Sequence, residues 1–103
     1  MQGSLREDIS REFINQKTIS DMMIRTDRTL FVTDPEETDS RLEVLRAEHN
    51  TQSYAIKIYR DQPSRPYYSL FKLTKEGKRQ LIDELFSSSK IEKIIKYINE
   101  NLN

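Results

Sequence analysis

Two strand-like runs, residues 53–60 and 67–73, flank the turn segment Asp61-Gln62-Pro63-Ser64-Arg65-Pro66 and constrain the fold more than any other stretch of the chain. Successive side chains of a strand point to opposite faces, so Tyr54, Ile56 and Ile58 share one side of the first run while Ala55, Lys57 and Tyr59 share the other. The first side is apolar and needs a core to face. The second is basic and aromatic and suits a contact surface. Only 35% of the 103 residues are hydrophobic and Trp is absent. The apolar side therefore has to be covered economically, by helices on one face of one sheet or by a partner. A chain of this length makes one domain, with a modest core and no deep cleft between lobes.

The rest of the chain is read around that hairpin. Residues 1–4 are expected to fray, and Ser4-Leu5-Arg6-Glu7 has the Ser-x-x-Glu spacing of a capped helix start, followed by Leu5, Ile9, Phe13 and Ile14 at helical intervals. Residues 18–25 and 29–33 read as two short strands joined at Thr26-Asp27-Arg28. Asp34-Pro35-Glu36-Glu37 combines a capping acid, Pro at the first helical position and acids in the first turn, which predicts a helix to about Glu48. The competing reading makes 41–48 a strand with Leu42 and Val44 inward. Thr74-Lys75-Glu76 starts another predicted helix, with Leu81, Ile82, Leu85 and Phe86 as its buried stripe. Its early cations Lys75, Lys78 and Arg79 oppose the helix dipole. Either a polyanion meets them there, or they pair with the acids of 34–48.

Ser89-x-x-Glu92 caps a last helix whose Ile91, Ile94, Ile95, Ile98 and Leu102 form the most regular apolar stripe in the chain. That stripe docks on its own sheet, or on a second copy to give a homodimer through the C-terminal helix 90–102. Leu30-Phe31-Val32-Thr33 and Leu70-Phe71-Lys72-Leu73-Thr74 are a loose internal echo of strand, strand and helix used twice. The expectation is an α+β fold in the order α-β-β-α-β-β-α-α: a four-stranded antiparallel sheet of two hairpins, with about four helices largely on one face.

Charge narrows the function classes. Seventeen basic residues balance seventeen acidic ones, which removes the bulk pull of a wholly cationic nucleic-acid binder. Local attraction survives, because residues 54–79 carry Lys57, Arg60, Arg65, Lys72, Lys75, Lys78 and Arg79 against Asp61 and Glu76. Residues 34–48 run the other way, with Asp34, Glu36, Glu37, Asp39, Glu43 and Glu48 against Arg41 and Arg46. The plain alternative is that both are solvated faces of neighbouring elements. With no cysteine there is no disulfide, thiolate metal site or Cys nucleophile, which fits a reducing compartment. No apolar run approaches the roughly 20 residues of a membrane span, so the expected protein is cytoplasmic and makes no membrane contact.

Signals for catalysis are sparse. His49 is the only histidine, and it lies at a predicted helix end where a dipole-compatible surface role explains it. Gly3 and Gly77 are the only glycines, so the phosphate loops that need several are excluded. No metal box and no cofactor motif is present, the hydroxyls of 87–89 lack a base, and Glu36-Glu37 sits in a solvated first turn. The expected protein is not an enzyme. What remains is the contact surface Lys57, Tyr59, Arg60, Arg65, Tyr67, Tyr68, Lys72, Lys75, Lys78 and Arg79. Bases stack on exposed rings while Lys and Arg meet phosphates, so single- or double-stranded nucleic acid fits it. Tyr and Arg also dominate protein interfaces, so a protein partner or inhibited target fits the same residues.

Arg65-Pro66-Tyr67-Tyr68 followed by Leu73-Thr74-Lys75-Glu76-Gly77 resembles the wing strand and following helix of phenolic-acid-type winged-helix repressors, which read Tyr-Tyr-x-Leu-Thr-x-x-Gly. Here Ser69 to Lys72 separate Tyr68 from Leu73. The order of strands, a Leu-Thr-x-Glu step and a helix is also similar to single-stranded-DNA-binding transcription cofactors of the positive-cofactor type. Both resemblances rest on one short segment, and both imply nucleic-acid binding. The reading from sequence is a small non-enzymatic nucleic-acid-binding or regulatory module, with a protein-interaction or inhibitor role as the alternative.

Overall fold

The computed structural model describes residues 22–61 and 66–102. These hold six strands, β1 (Met23–Arg25), β2 (Leu30–Thr33), β3 (Leu42–His49), β4 (Gln52–Tyr59), β5 (Tyr67–Glu76) and β6 (Arg79–Ser88), then one helix, α1 (Ile91–Asn101). The strands form a single antiparallel sheet in chain order, each pairing with the next. Turn chemistry enforces that meander. Asn50 and Thr51, at φ 54° and 63°, join His49 to its partner Gln52. Two successive positive-φ residues are the type I′ arrangement, whose twist matches that of the flanking strands. Gly77, at φ 63°, occupies the first position of the two-residue link between the paired Glu76 and Arg79, as in a type II′ turn. Between β1 and β2, the Thr26 side chain accepts hydrogen bonds from the amides of Arg28 and Thr29.

This architecture corrects the expected one: the sheet has six strands rather than four, with one helix among the described residues rather than about four. At Asp34-Pro35-Glu36-Glu37 the Asp34 carboxylate does accept a nearby amide, that of Glu36 at 3.0 Å. The segment is nevertheless a turn, since an acid side chain bonded two residues ahead closes an Asx-turn as readily as it caps a helix. Asp39 repeats the device, accepting from Arg41 and Leu42 at 2.8 and 2.9 Å, and β3 follows. Those backbone amides hold the Asp39 carboxyl below the usual carboxylate range. The strand reading of 41–48 is therefore the one realised, but Leu45 rather than Leu42 and Val44 faces α1, and Val44 is buried in a smaller cluster on the other face.

The helix expected from Thr74 is also overturned. Thr74 to Glu76 complete β5, Gly77 turns the chain, and Leu81, Ile82, Leu85 and Phe86 lie on β6. A register shift opposite Leu70 and Phe71, which pair with Phe86 and Glu84, leaves Leu85 as an extra residue. That bulge lets adjacent Leu85 and Phe86 both pack on the core, which produces the helix-like spacing. The two echoing motifs are strands, but a strand follows each. The helix expected from Ser4, and residues 18–21 of the first expected strand, lie outside the described residues. Residues 23–25 and 30–33 do form the first hairpin.

The core lies between α1 and one face of the sheet. Ile24, Phe31, Leu45, Ile56, Ile58 and Leu70 from the strands meet Ile94, Ile98 and Leu102 from the helix. Complete burial contributes about 1.5–3 kcal/mol for each such side chain. The C-terminal stripe is thus spent on its own sheet. Lys90 occupies the N-cap position with no side-chain cap bond, its amide donating instead to Ser88 Oγ at 3.1 Å. Phe86 stacks on Tyr97 with centroids 4.8 Å apart. At the far end, Asn99 Oδ1 accepts from the Asp27 amide at 2.7 Å, and the Asn99 carbonyl accepts from the Arg28 guanidinium at 3.2 and 3.3 Å. Arg28 thereby supplies the cation that the last turn of α1 lacks.

Candidate interaction face

Strand register assigns each contact residue to a face. Leu42 stands opposite Tyr59 and Tyr59 opposite Tyr67; Val44 opposite Lys57 and Lys57 opposite Ser69; Arg46 opposite Ala55 and Ala55 opposite Phe71. These rows lie on the face away from α1, so the alternation read for Ala55, Lys57 and Tyr59 is realised. Lys75 shares that face by the same alternation. Arg60, Tyr68, Lys72 and Arg79 lie on the helix-bearing face, Lys78 is in the turn after Gly77, and Arg65 is outside the described residues. The ten contact residues therefore do not form one continuous surface.

Lys57 is engaged within its face. Its Nζ sits 5.0 Å from the centroid of the Phe71 ring, one diagonal step across β4 and β5. Beneath this pair, Val44, Ala55 and Leu73 are buried, with Leu42 and Phe71 packed around them. The Tyr67 hydroxyl lies 2.9 Å from Ser87 Oγ. Burial raises the Tyr59 hydroxyl pKa, and the nearby Glu84 carboxylate adds to the shift.

Two further cations are neutralised. Arg46 Nε donates to Asp34 Oδ2 at 2.8 Å, and its other arm meets Glu37. Burial acts to lower the Arg46 pKa, but these two carboxylates outweigh it and the net shift is upward. On the opposite face, Arg60 donates to Oε1 of the fully buried Glu43 at 2.9 Å. Thr33 Oγ1, beside Glu43, donates to the Met22 carbonyl at 2.7 Å. Desolvation pushes the Glu43 carboxyl above its ordinary range, against the pull of Arg60.

No family model, curated protein or solved structure matches the chain. The site must therefore be judged on its own chemistry. The helix that both resemblances imply after Thr74 is strand β6. Among the described residues, no group of three His, Cys, Asp or Glu side chains could hold a metal ion, and no helix is long and apolar enough to cross a membrane. His49 closes β3 with its Nε2 3.4 Å from Asn50 Nδ2, beside the type I′ turn.

Sequence reasoning named Tyr67 but missed the other exposed apolar members of this face. The large apolar side chains left most exposed are Met23 (60%), Val32 (44%), Tyr67 (45%) and Ile82 (50%). All four lie on the side away from α1, since Met23 pairs with Val32, Val32 with Arg46, and Ile82 with Leu73. Period-two alternation in 23–33 and 79–84 was the available signal, but 79–84 had been read with a helical period.

Proposed function

We propose that this protein is a non-enzymatic interaction module that binds a protein partner on the open face of its sheet. One observation carries the reading: the four large apolar side chains most exposed to water share one face, and two of its cations, Arg46 and Lys57, are already engaged within the chain. Arg46 is held by Asp34 and Glu37, Lys57 covers Phe71, and Glu48 and Glu84 add negative charge to the same face. Exposed apolar side chains lie on both sides of the face, Met23 and Val32 on β1 and β2 and Tyr67 and Ile82 on β5 and β6. They flank the aromatic and paired-charge rows between them, and this mixture of apolar, aromatic and Arg side chains is the chemistry that protein interfaces favour.

The juxtaposition of Tyr59, Tyr67, Phe71 and Lys57 favours a second reading, single-stranded nucleic acid stacked on the rings. One experiment separates the two. With a photo-crosslinking amino acid in place of Tyr67, irradiation in cell extract should give adducts that are protease-sensitive and nuclease-resistant. Ile82→Asp should deplete them without unfolding the chain. Nuclease-sensitive adducts, accompanied by oligonucleotide binding that falls log-linearly with salt, would replace the protein-partner reading with the nucleic-acid one.

A further inference from the structure

We infer that β6 is a self-complementary edge through which two copies of this chain pair, joining their sheets into one. β6 is ten residues long, contains no proline, and ends the strand order, so among the described residues no strand pairs with its outer side. A long uncovered edge of this kind is a template for another strand. Its charges select which strand. Lys78-Arg79-Gln80-Leu81-Ile82-Asp83-Glu84 runs from two cations through an uncharged centre to two anions.

Antiparallel pairing about a two-fold axis through Leu81 sets Arg79 opposite Asp83 of the second copy and brings Lys78, in the turn just before β6, beside Glu84 of the second copy. Leu81 then meets its own counterpart, and Gln80 meets Ile82. Symmetry repeats each ion pair, as an isologous interface requires. Shifting the axis by one residue spoils the match: centred on Ile82 it sets Leu81 against Asp83, and centred on Gln80 it sets Arg79 against Leu81, so neither register pairs Arg79 with Asp83. Opposite charges directly across from each other favour pairing, and a charge set against an apolar side chain forgoes that gain.

The isolated chain does not answer this pattern fully. Arg79 faces Glu76 and Asp83 faces Lys72 across the hairpin, but Glu84 faces Phe71, and Lys78 lies in the turn. Among the described residues, none of Lys78, Arg79, Asp83 and Glu84 forms an ion pair. Geometry leaves room for a second copy. The last β4–β5 pair is Ser53 with Leu73, so β5 and β6 continue beyond it as a two-stranded ribbon. The bulge at Leu85 ends the matching segment, whose strand part, Arg79 to Glu84, has the usual strand length of about five to six residues. The inference does not depend on what the open face binds.

The test is the mass of the full chain by light scattering from micromolar to millimolar concentration, with Lys78→Glu and Glu84→Lys as separate variants. Neither residue faces a charge on β5, so circular dichroism should match the parent for both. The parent should reach twice the monomer mass. Each variant alone should weaken the dimer by about tenfold or more, because attraction becomes repulsion at two symmetric positions. An equimolar mixture of the two variants should restore dimerisation, since every opposed pair is then again of opposite sign. A parent that stays monomeric at millimolar concentration, variants that dimerise as the parent does, or a mixture that fails to recover would each overturn the inference.

Discussion

Thr51→Gly should stabilise the protein, and the reason is local. Thr51 sits at φ 63°, a left-handed conformation in which an L-side chain crowds its own backbone and a β-branched one does so most. That conformation costs roughly 1–2 kcal/mol, which glycine avoids. Glycine's greater freedom in the unfolded chain returns about 0.5–1 kcal/mol of that gain. The hydroxyl lost on substitution bonds only to the neighbouring Asn50 carbonyl at an exposed turn, so its removal matters little. The balance is about 0.5–1 kcal/mol in favour of the variant, or about 3–6 °C in Tm for a domain of this size. Gly77→Ala is the counterpart. Its φ is also 63°, and no atom lies within 4 Å of an added Cβ, so only the backbone penalty operates and Tm should fall by a similar amount. Urea and thermal unfolding followed by circular dichroism measure both. A lower Tm for Thr51→Gly together with an unchanged one for Gly77→Ala would refute the assignment of these turns.

The remaining predictions concern the core and the buried carboxylate. Ile98→Ala opens a cavity between α1 and the sheet where the side chain is fully buried, and should cost about 2–5 kcal/mol by urea unfolding; a change within the error of that measurement would mean that α1 is not docked. Glu43 has a folded-state pKa raised above its ordinary value of 4.5, so the native state binds its proton more tightly than the unfolded chain does. Its contribution to stability is complete below that ordinary value and is lost as pH rises through the raised one. Unfolding free energies measured across that window should fall with pH more steeply for the parent than for Glu43→Gln, and parallel curves would exclude the raised pKa.

The hairpin of β4 and β5 was legible because residues 53–60 alternate, and a second strand-like run rich in aromatic residues follows a Pro-containing turn. The stripe of α1 was legible for the corresponding reason, with Ile91, Ile94, Ile95, Ile98 and Leu102 repeating over three turns. β3 was not. Leu42, Val44 and Leu45 fit periods of both two and 3.6, and the strand buries Glu43, Val44 and Leu45 in succession, which erases alternation. Asp34 added to the ambiguity, because its bond to a nearby amide is shared by helix caps and Asx-turns. Gly77 was the neglected clue on β6. Glycine early in a helix is unfavourable by about 1 kcal/mol relative to alanine, whereas between two strands it supplies the positive φ of a hairpin. With that turn recognised, the cations Lys75, Lys78 and Arg79 no longer oppose a helix dipole. On the candidate face, Lys57 and Tyr59 followed from alternation; Tyr67 was named together with Tyr68, which lies on the other face, and Met23, Val32 and Ile82 required the register of the whole sheet.

The two proposals act on different quantities, and their geometry couples them. A two-fold axis perpendicular to a continuous sheet leaves both open faces pointing the same way, with Lys78 and Ile82 of each copy near the centre. Two faces of modest affinity held side by side bind a repeated or two-fold partner far more tightly than either face alone, because the second contact forms at high effective concentration. Lys78→Glu would then weaken binding to a bivalent partner while leaving the affinity for a single-site fragment intact. Met23→Asp, at the far edge from β6, would reduce both affinities and leave the mass of the assembly unchanged. If pairing instead buried the open face, a variant that abolished the dimer would increase single-site binding. The sign of that one change therefore distinguishes a face presented by the dimer from a face consumed by it.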